Sequence, residues 1–469
     1  MSLEQDTIVA VSTPAGRGGI GVVRVSGPRA REVVAPLLRL RHELAAGRAR
    51  FGAIIDVASG DVLDEAVATY FAAPHSYTGD DVVEIAAHGA PVLLDYLVRQ
   101  CCTGGARLAE PGEFTQRAFL AGRIDLTQAE AVGDLIGSST LEQARVAARQ
   151  LGGALAKSVA PVKAELVGLI ATLEAGIDFA EDDIDVLPGA QIAERIAAIR
   201  APLAALERSF AYGRIIREGF RLAIVGRPNA GKSSLFNRLV ERDRAIVTAT
   251  PGTTRDLVTE TVAIDGIPVE LIDTAGLRDA SDEAERLGIA KSHEAMADAD
   301  VVLLVLDGAA VKAAADLSEQ EGALLHSHAP GGRPLLVAWN KSDLLGGTAR
   351  SAVIPQVSGP QAGPAQVQTS ALTGEGIAEL RAAIVSAVAG SNATGVGEAG
   401  LLTNLRQHQS VTAALAGLDA AQAAVAASIP HEMLLLDLYS ALRGLDALTG
   451  ATTTEDVLRL IFSTFCIGK

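Results

Sequence analysis

The sequence contains few aromatic residues, few cysteines and a deficit of positive charge. Phe, Trp and Tyr make up 3% of its 469 residues, so its hydrophobic cores have to be built mainly from Ala, Leu, Val and Ile, which favours a high helix content. The 3 cysteines, Cys101, Cys102 and Cys466, show neither a C-x-x-C spacing nor a disulfide framework. This pattern is typical of a reducing compartment, and we expect a cytoplasmic protein.

The charge balance and the lack of long apolar runs argue against several classes of protein. With 40 basic and 56 acidic residues the formal charge is −16, which makes a general binder of nucleic acid or of an anionic membrane improbable. Contact with RNA would require a local basic patch. No apolar run reaches about 18 residues, so no membrane span is expected. Residues 1–6 also lack the basic and apolar regions of a signal peptide.

At this length about two to four domains are expected, and residues 1–123 are interpreted as the first of them. Strands are predicted at 7–11, 20–25, 51–57, 66–71 and 82–86, and helices that open with proline at 28–40, 91–100 and 111–121. This mixture indicates an α+β domain. The glycine-containing loops 13–19 and 87–91 are interpreted as turns.

Helical periodicity dominates two further stretches, 124–217 and 390–469. Ala129, Val132 and Ile136 recur at helical spacing after Thr127, a candidate helix cap. The acidic run 181–185 is interpreted as a solvated loop rather than as a metal site. Because helical segments stand on both sides of a central region, we predict one α-helical bundle domain with a second domain inserted into it.

The inserted region, 218–389, alternates strands and helices. Strands are predicted at 221–225, 259–264, 269–273, 301–306, 334–339 and 366–369, and helices at 232–240, 284–298, 314–326 and 376–388. Such alternation predicts an α/β domain whose mostly parallel sheet is covered on both faces.

Residues 226–233, Gly-Arg-Pro-Asn-Ala-Gly-Lys-Ser, match the phosphate-binding pattern G-x-x-x-x-G-K-[ST] between a predicted strand and a predicted helix. Glycine lets the backbone wrap closely around a phosphate, and the helix N-terminus supplies positive potential. Lys232 is expected to reach the terminal phosphates and Ser233 to ligate magnesium.

Three later motifs favour GTP over ATP. Residues 273–276, Asp-Thr-Ala-Gly, end a strand where a carboxylate can hold magnesium through water and a glycine amide can contact the γ-phosphate. Residues 340–343, Asn-Lys-Ser-Asp, place an aspartate where it can accept hydrogen bonds from guanine N1 and N2, which adenine cannot donate. Residues 370–372, Ser-Ala-Leu, suit backbone contact with the guanine oxygen. The order of these motifs predicts a P-loop GTPase with a Ras-like G domain.

The segment 248–256, Thr-Ala-Thr-Pro-Gly-Thr-Thr-Arg-Asp, resembles the first switch of the MnmE (TrmE) family, within the translation-factor-related GTPases. The resemblance spans the whole chain and includes Asp6-Thr7-Ile8-Val9-Ala10, Gly16-Arg17-Gly18-Gly19, Arg24-Val25-Ser26-Gly27, Pro111-Gly112-Glu113-Phe114 and the closing Phe465-Cys466-Ile467-Gly468-Lys469. The last of these is a specific mark of the family.

The resemblance implies how GTP would be hydrolysed. Leu277 stands where Ras-like proteins carry a glutamine that orients water. The family instead uses potassium, and the positions that match its ligands are Asn229, Thr248, Thr250 and Thr253. Thr254 matches a second magnesium ligand beside Ser233. The catalytic residues implied are Asn229 and Glu285, which matches a water-orienting carboxylate, although a glutamate in a first helical turn also favours the helix dipole.

The full set of predicted GTP-binding residues combines the four motifs with the first switch. It comprises Asn229, Ala230, Gly231, Lys232, Ser233, Ser234, Thr248, Ala249, Thr250, Pro251, Gly252, Thr253, Thr254, Asp273, Thr274, Ala275, Gly276, Asn340, Lys341, Ser342, Asp343, Ser370, Ala371 and Leu372.

The resemblance also implies that the N-terminal domain is similar to folate-binding domains, mediates homodimerisation and holds a formyl-tetrahydrofolate. The matching positions are Arg24, Glu84, Arg123 and Lys469; family members carry Lys at position 123, so Arg keeps the charge and changes the geometry. Cys466 has two open interpretations, a nucleophile near the one-carbon unit or a small apolar residue in a buried tail.

The function implied by the resemblance is a potassium-activated GTPase that works with a flavin-dependent, MnmG/GidA-like partner in a hetero-oligomer. Together they would add an aminomethyl or carboxymethylaminomethyl group to C5 of the tRNA wobble uridine, with a tetrahydrofolate as one-carbon donor. GTP hydrolysis would drive association and separation of the two G domains of the dimer. Two alternatives stay open: an RNA-binding ribosome-assembly GTPase, which predicts a compact basic domain, and a folate-dependent methyltransferase with a regulatory G domain.

Overall fold

The structure is a computed structural model that describes residues 6–178, 187–240, 258–273, 298–311, 317, 321–322, 333–345, 364–389, 400–452, 458 and 461–468. The chain forms two compact units. The first comprises Met1–Gly133, Gln150–Ala156 and Leu442–Lys469, and the second comprises Asp134–Arg149 and Lys157–Ala441. The predicted fold class is confirmed: an α+β N-terminal part, a helical part and an α/β part of the P-loop type inserted into it.

The N-terminal part is built on a seven-stranded sheet. Its elements are β1 (Ile8–Val11), β2 (Gly18–Ser26), α1 (Ala30–Val34), β3 (Leu38–Leu40), β4 (Ala49–Ile55), β5 (Val62–Phe71), β6 (Val82–Gly89), α2 (Pro91–Thr103), β7 (Arg107–Leu108), α3 (Glu113–Leu120) and α4 (Leu126–Gly137). The strand order is β3-β4-β5-β6-β2-β1-β7, and all neighbours are antiparallel except β1 and β7. Helices α1 and α2 pack on the sheet, and Val23, Ile85 and Leu97 lie fully buried in the core between them.

The helix predicted at 28–40 is wrong beyond Val34. Ala35–Leu37 forms a 3-10 turn, and Leu38–Leu40 is strand β3, which pairs with β4 at the edge of the sheet. Pro36 is the reason, because it cannot donate an N–H and its ring clashes with a continuing α-helix. Residues 18–19 and 87–89, interpreted as turns, belong to β2 and β6.

Thr127 is not the helix cap that the sequence suggested. It lies inside α4, and Asp125 caps the helix instead: the Asp125 carboxylate accepts a hydrogen bond from the Gln128 amide at 2.9 Å. The Gln128 side chain in turn accepts from the Asp125 amide at 3.0 Å. This reciprocal pair is a capping box, in which Asp and Gln three residues apart satisfy two helix-end donors.

Four charged residues fasten the start of the described chain to α3. Arg107 donates to both oxygens of Glu113, at 2.6 and 2.8 Å, and also to Asp6 at 2.5 Å. Arg117 donates to Asp6 at 2.6 Å and to Glu113 at 2.9 Å. The side chains of Glu113 and Arg117 are only 2% and 6% exposed. Burial by itself raises the pKa of Glu113, but hydrogen bonds from Arg107, the Glu110 amide and Arg117 outweigh it and lower that pKa.

The elements that follow α4 include long helices and a second sheet. They are α5 (Leu141–Leu151), α6 (Ala154–Asp178), α7 (Gly189–Arg208), α8 (Phe210–Glu218), β8 (Phe220–Val225), α9 (Lys232–Val240), β9 (Val258–Ile264), β10 (Ile267–Asp273), β11 (Val301–Asp307), β12 (Leu335–Asn340), β13 (Ala365–Gln368), α10 (Ile377–Ala389), α11 (Leu405–Ala426) and α12 (His431–Thr449). No helix in the described part of the chain is long and apolar enough to cross a membrane.

The second sheet is mostly parallel, as predicted. Its strand order is β13-β12-β11-β8-β10-β9, and only β9 and β10 pair antiparallel. Strands β11 and β12 are buried along nearly their whole length, which is what helices on both faces of a parallel sheet require. Leu235 of α9 and Leu380 of α10 lie in the core on one face. The helices predicted at 284–298 and 314–326 fall largely outside the described residues.

Helices from before and after this sheet pack against one another. Helix α7 lies along α11, and Arg200 forms an ion pair with Asp419 between them. Gly417 of α11 faces Ala441 of α12 so closely that an added Cβ would lie 2.7 Å from the Ala441 nitrogen. The helical part is therefore assembled from two stretches of chain that the α/β part separates.

Candidate functional site

Two glycines shape the loop between β8 and α9, and neither position tolerates a side chain. Gly226 has φ +144°, and an added Cβ would lie 2.2 Å from the Val305 carbonyl oxygen. Gly231 has φ +95°, and an added Cβ would lie 2.1 Å from Asn340 Nδ2. The glycines of the phosphate-binding pattern are thus required by the neighbouring strands as well as by any phosphate.

The side chains of this loop divide into inward and outward sets. Lys232 is buried, and its Nζ donates to the carbonyls of Gly226 at 2.7 Å and Arg227 at 2.8 Å. Asn229 has a left-handed backbone, φ +65°, and an exposed side chain. Ser233 and Ser234 are exposed in the first turn of α9, where the helix N-terminus favours anions.

Asn340 ties the phosphate loop to the predicted guanine loop. Its side-chain amide donates to the Ala230 carbonyl at 3.0 Å and accepts from the Ala371 amide at 3.0 Å. Asn340 itself is only 1% exposed, so both bonds form in a site shielded from water. Asn340 therefore brings together segments of three motifs that lie far apart in the sequence.

The remaining guanine-motif residues surround this link. The Ser370 hydroxyl donates to Asp343 at 2.5 Å, which orients that carboxylate. Ser342 is buried, its amide donates to the Thr369 carbonyl at 3.1 Å, and its hydroxyl has no partner among the described residues. Leu372 is 79% exposed.

Asp307 holds Lys341, a contact that sequence reasoning missed. Lys341 has φ +64°, and its Nζ donates to Asp307 at 2.6 Å. Burial alone raises the pKa of Asp307, but hydrogen bonds from Lys341 and the amides of Ala309 and Ala310 lower it overall, so the carboxylate stays charged. Asp307 ends β11 beside the end of β12, and its place next to a motif strand is the signal that could have identified it.

The first switch and the second half of the magnesium site fall outside the described residues. This applies to Thr248, Ala249, Thr250, Pro251, Gly252, Thr253, Thr254, Thr274, Ala275, Gly276, Leu277 and Glu285. Asp273 is the last residue of β10, which pairs in parallel with the strand that leads into the phosphate loop. Asn229 and Ser233 are the members of the predicted metal sites that the structure describes.

Two residues of the predicted folate site form one pair on the N-terminal sheet. Arg24 and Glu84 face each other on β2 and β6, 2.8 Å apart, and Arg24 also donates to the Gly468 carbonyl at 3.4 Å. The Arg24 guanidinium lies 5.7 Å from the ring centre of Tyr77 and 5.5 Å from that of Phe114. A basic group and a carboxylate thus meet beside the C-terminal tail.

Arg123 lies against the loop between β5 and β6, which carries Tyr77, and makes no contact with Arg24 in the described structure. Its guanidinium donates to the Pro74 carbonyl at 2.6 Å, and its Cδ lies 3.7 Å from where a Cβ on Gly79 would be. Lys469 is outside the described residues. The structure therefore brings Arg24, Glu84 and the tail together, and it places Arg123 in contact with the loop that carries Tyr77.

Cys466 is exposed, so the interpretation of it as an apolar residue in a buried tail is wrong. The tail is held by its backbone instead. The Cys466 carbonyl accepts from the Gly112 amide at 3.5 Å, and Gly468 lies so close to β1 that an added Cβ would be 2.3 Å from the Val11 oxygen. The thiol is left at the surface.

Comparison with known proteins finds family matches for two stretches that together cover most of the chain. A family model described as "GTP-binding protein TrmE N-terminus" matches residues 7–123, and one described as "MnmE helical domain" matches residues 126–466. Among the similar curated proteins are several that carry the name "tRNA modification GTPase MnmE", including those of Koribacter versatilis, Nitrosomonas europaea and Acetivibrio thermocellus. The protein from Koribacter versatilis is 58% identical over 467 residues, and the alignment covers 99% of each chain.

The other two relatives are more distant in sequence and equally complete. The protein from Nitrosomonas europaea is 42% identical over 468 residues and covers 99% of each chain. That from Acetivibrio thermocellus is 39% identical over 469 residues and covers 99% of this chain and 100% of its own. With similarity that runs from the N-terminal sheet through the nucleotide loops to the closing helices, this chain belongs to the MnmE family of tRNA modification GTPases.

Proposed function

We propose that the protein hydrolyses GTP and acts in the modification of tRNA. The observation that carries the proposal is the hydrogen-bonded link from Ala230 through Asn340 to Ala371, which joins a phosphate loop to a guanine loop. Asp343, oriented by Ser370, would accept from guanine N1 and N2 and so exclude adenine.

Lys232 and the amides of α9 would carry the charge of the phosphates. Lys232 now donates to two carbonyls of its own loop, and the same short reach lets it exchange them for phosphate oxygens. Ser233 and Thr254 carry hydroxyl oxygens, which are the kind of ligand that magnesium binds. The ion, when bound, would neutralise charge on the β- and γ-phosphates. Asp273, at the end of the neighbouring strand, would hold water in that shell.

Leu277 cannot orient the attacking water, because its side chain has no hydrogen-bonding group. We assign that task to Glu285. Asn229 offers an exposed amide at the phosphate loop, and Thr248, Thr250 and Thr253 would complete an oxygen-lined site for potassium. The ion supplies positive charge where negative charge develops in the transition state.

The N-terminal part would serve the tRNA chemistry. Glu84 and Arg24 offer a carboxylate for a pterin ring and a cation for its glutamate tail, and Arg123 and Lys469 add positive charge. A tetrahydrofolate bound there supplies a one-carbon unit. We further propose a cytoplasmic homodimer that works with a flavin-dependent partner at C5 of the wobble uridine, to which an aminomethyl or carboxymethylaminomethyl group is added.

Complementation of cells that lack this protein tests the proposal. Wild-type protein is expected to restore the modified wobble uridine in nucleoside analysis of bulk tRNA. Asp343→Asn is expected not to restore it, because the amide repels one guanine donor and lowers GTP affinity. Asp95→Asn, the same change on the exposed side of α2, should behave as wild type. A wobble uridine that is still fully modified in the deleted cells would overturn the proposal.

A further inference from the structure

Arg238 connects α9, the helix that follows the phosphate loop, to the guanine loop, residues 370–372. Arg238 lies in the last turn of α9, seven residues after Gly231 of the phosphate loop. Its Nε donates to the Ala371 carbonyl at 3.1 Å, and its Nη2 donates to the Leu372 carbonyl at 2.7 Å. A planar guanidinium that holds two successive carbonyls fixes both their positions and their directions.

Arg238 closes a ring of contacts around the site. Ala371 is held on its other side, because its amide donates to Asn340 Oδ1 at 3.0 Å. Asn340 Nδ2 donates in turn to the Ala230 carbonyl at 3.0 Å, two residues before α9 begins. The helix itself, a rigid rod of about 1.5 Å per residue, completes the circuit back to Arg238. The phosphate loop and the guanine loop are thereby linked at two points rather than one.

The carbonyl contacts determine where the guanine loop points its amides. The Ala371 carbonyl and the Leu372 amide belong to one planar trans peptide, so a carbonyl turned toward Arg238 turns the Leu372 N–H the opposite way. The amides of Ala371 and Thr373 are already used, the first by Asn340 and the second by Ser370 Oγ at 3.1 Å. Among the described residues the Leu372 amide has no acceptor, and it is the N–H left to offer.

We propose that Arg238 is a positioning residue for guanine recognition: it orients the Ala371–Leu372 peptide so that the Leu372 amide donates to the oxygen at C6 of the base. The inference rests on the proposed GTP-binding function and extends it. Because α9 begins at Lys232, the same arginine also couples the lysine that serves the phosphates to the loop that reads the base.

The test compares GDP with 6-thioguanosine diphosphate, which keeps N1–H and the 2-amino group and replaces the oxygen by sulfur, a weaker acceptor. Dissociation constants and dissociation rates are measured for full-length wild-type protein, Arg238→Ala and Arg238→Lys. Arg381→Ala is the matched control, since Arg381 of α10 also donates to a backbone carbonyl of α9, that of Leu239 at 3.0 Å.

Arg238→Ala is expected to weaken GDP binding about tenfold, mainly through faster dissociation, as the loss of charge-assisted hydrogen bonds implies. The preference of Arg238→Ala for GDP over the sulfur analogue should also be smaller than that of the wild type. Arg238→Lys should show a preference between those of the wild type and Arg238→Ala, and Arg381→Ala should keep the wild-type preference. Equal weakening for both nucleotides, or none, would overturn the role of Arg238 while leaving GTP binding intact. Failure of the wild type to bind GDP would overturn the proposed function itself.

Discussion

Single residues in the nucleotide site are fixed by atoms that lie far away in the sequence. Gly231 has to be glycine because Asn340 occupies the space of its Cβ, and Asn340 has to be an amide because it donates to Ala230 and accepts from Ala371. Lys341 is held by Asp307 in the same way. Gly231, Asn340 and Lys341 thus each have a structural partner in addition to the role expected of them toward GTP.

The charged network at Glu113 predicts a pH-dependent loss of stability in the N-terminal part. Because the pKa of Glu113 is lowered below its ordinary 4.5 in the folded chain, its ion pairs stabilise the fold above that pH and are lost as the pH falls through the folded value. Glu113→Gln should therefore cost about 3 kcal/mol at pH 7, and the difference from wild type should shrink below pH 4.5.

Urea unfolding followed by far-UV circular dichroism measures this cost. The fluorescence of Trp339, the single tryptophan of the sequence, reports the second unit and should not shift. Glu32→Gln removes the same charge from an exposed pair with Arg29 and is expected to leave the free energy of unfolding nearly unchanged. A loss for Glu113→Gln that is equal at pH 7 and pH 3.5 would refute the electrostatic explanation.

At the scale of elements, the hairpin between β9 and β10 is clipped to the elbow between α4 and α5. The Thr140 hydroxyl donates to the Gly266 carbonyl at 2.6 Å. Gln143 braces the elbow by accepting from the Ser139 amide at 2.8 Å and donating to the Arg217 carbonyl at 2.8 Å. This hairpin follows the predicted first switch, residues 248–256, in sequence and ends at Asp273, so the helical part contacts strands that lie between two predicted nucleotide-binding segments.

Gly266→Ala is expected to loosen this clip. Gly266 has φ +82°, and an added Cβ would lie 2.7 Å from the Glu142 Cβ, so the substitution meets both backbone strain and a clash. Hydrogen exchange at the amides of β9, β10 and the start of α5 should become roughly tenfold faster, which corresponds to about 1.4 kcal/mol.

Gly60→Ala provides the matched control for this substitution. Gly60 also lies in a hairpin turn with positive φ, +78°, but no heavy atom lies within 4 Å of its added Cβ. Its effect should stay within the turn between β4 and β5. If both substitutions change only their own turns, the contact between the hairpin and the elbow does not couple the two elements.

The elements show what could and could not be predicted from the sequence. Helix α9 runs from Lys232 to Val240 as predicted, since a glycine-rich loop and an apolar periodicity mark its limits. Strand β3 was missed because three residues carry too little pattern, although Pro36 already argued against a helix there. Arg238 could not be found, because Ala371 lies 133 residues away and only the fold brings the two together.

At the scale of the whole molecule, the chain combines an α/β part of the P-loop type with a helical part and an N-terminal α+β part. The α/β sheet with the phosphate loop separates two stretches of helix that pack together, and the N-terminal sheet carries the Arg24–Glu84 pair beside the tail. The inserted part contacts the helical part at the elbow, where the Thr140 hydroxyl donates to the Gly266 carbonyl.

The most direct test is the GTPase rate of the full chain in potassium compared with sodium at equal ionic strength. Asn229 stands exposed in the phosphate loop, and Leu277 cannot assist the water, so potassium is expected to raise the rate at least tenfold, within the range that a single transition-state charge contact provides. Asn229→Ala should abolish the stimulation, and Asn237→Ala, on the exposed side of α9, should retain it. Equal rates in the two salts, or an Asn229→Ala protein that still responds to potassium, would contradict the account.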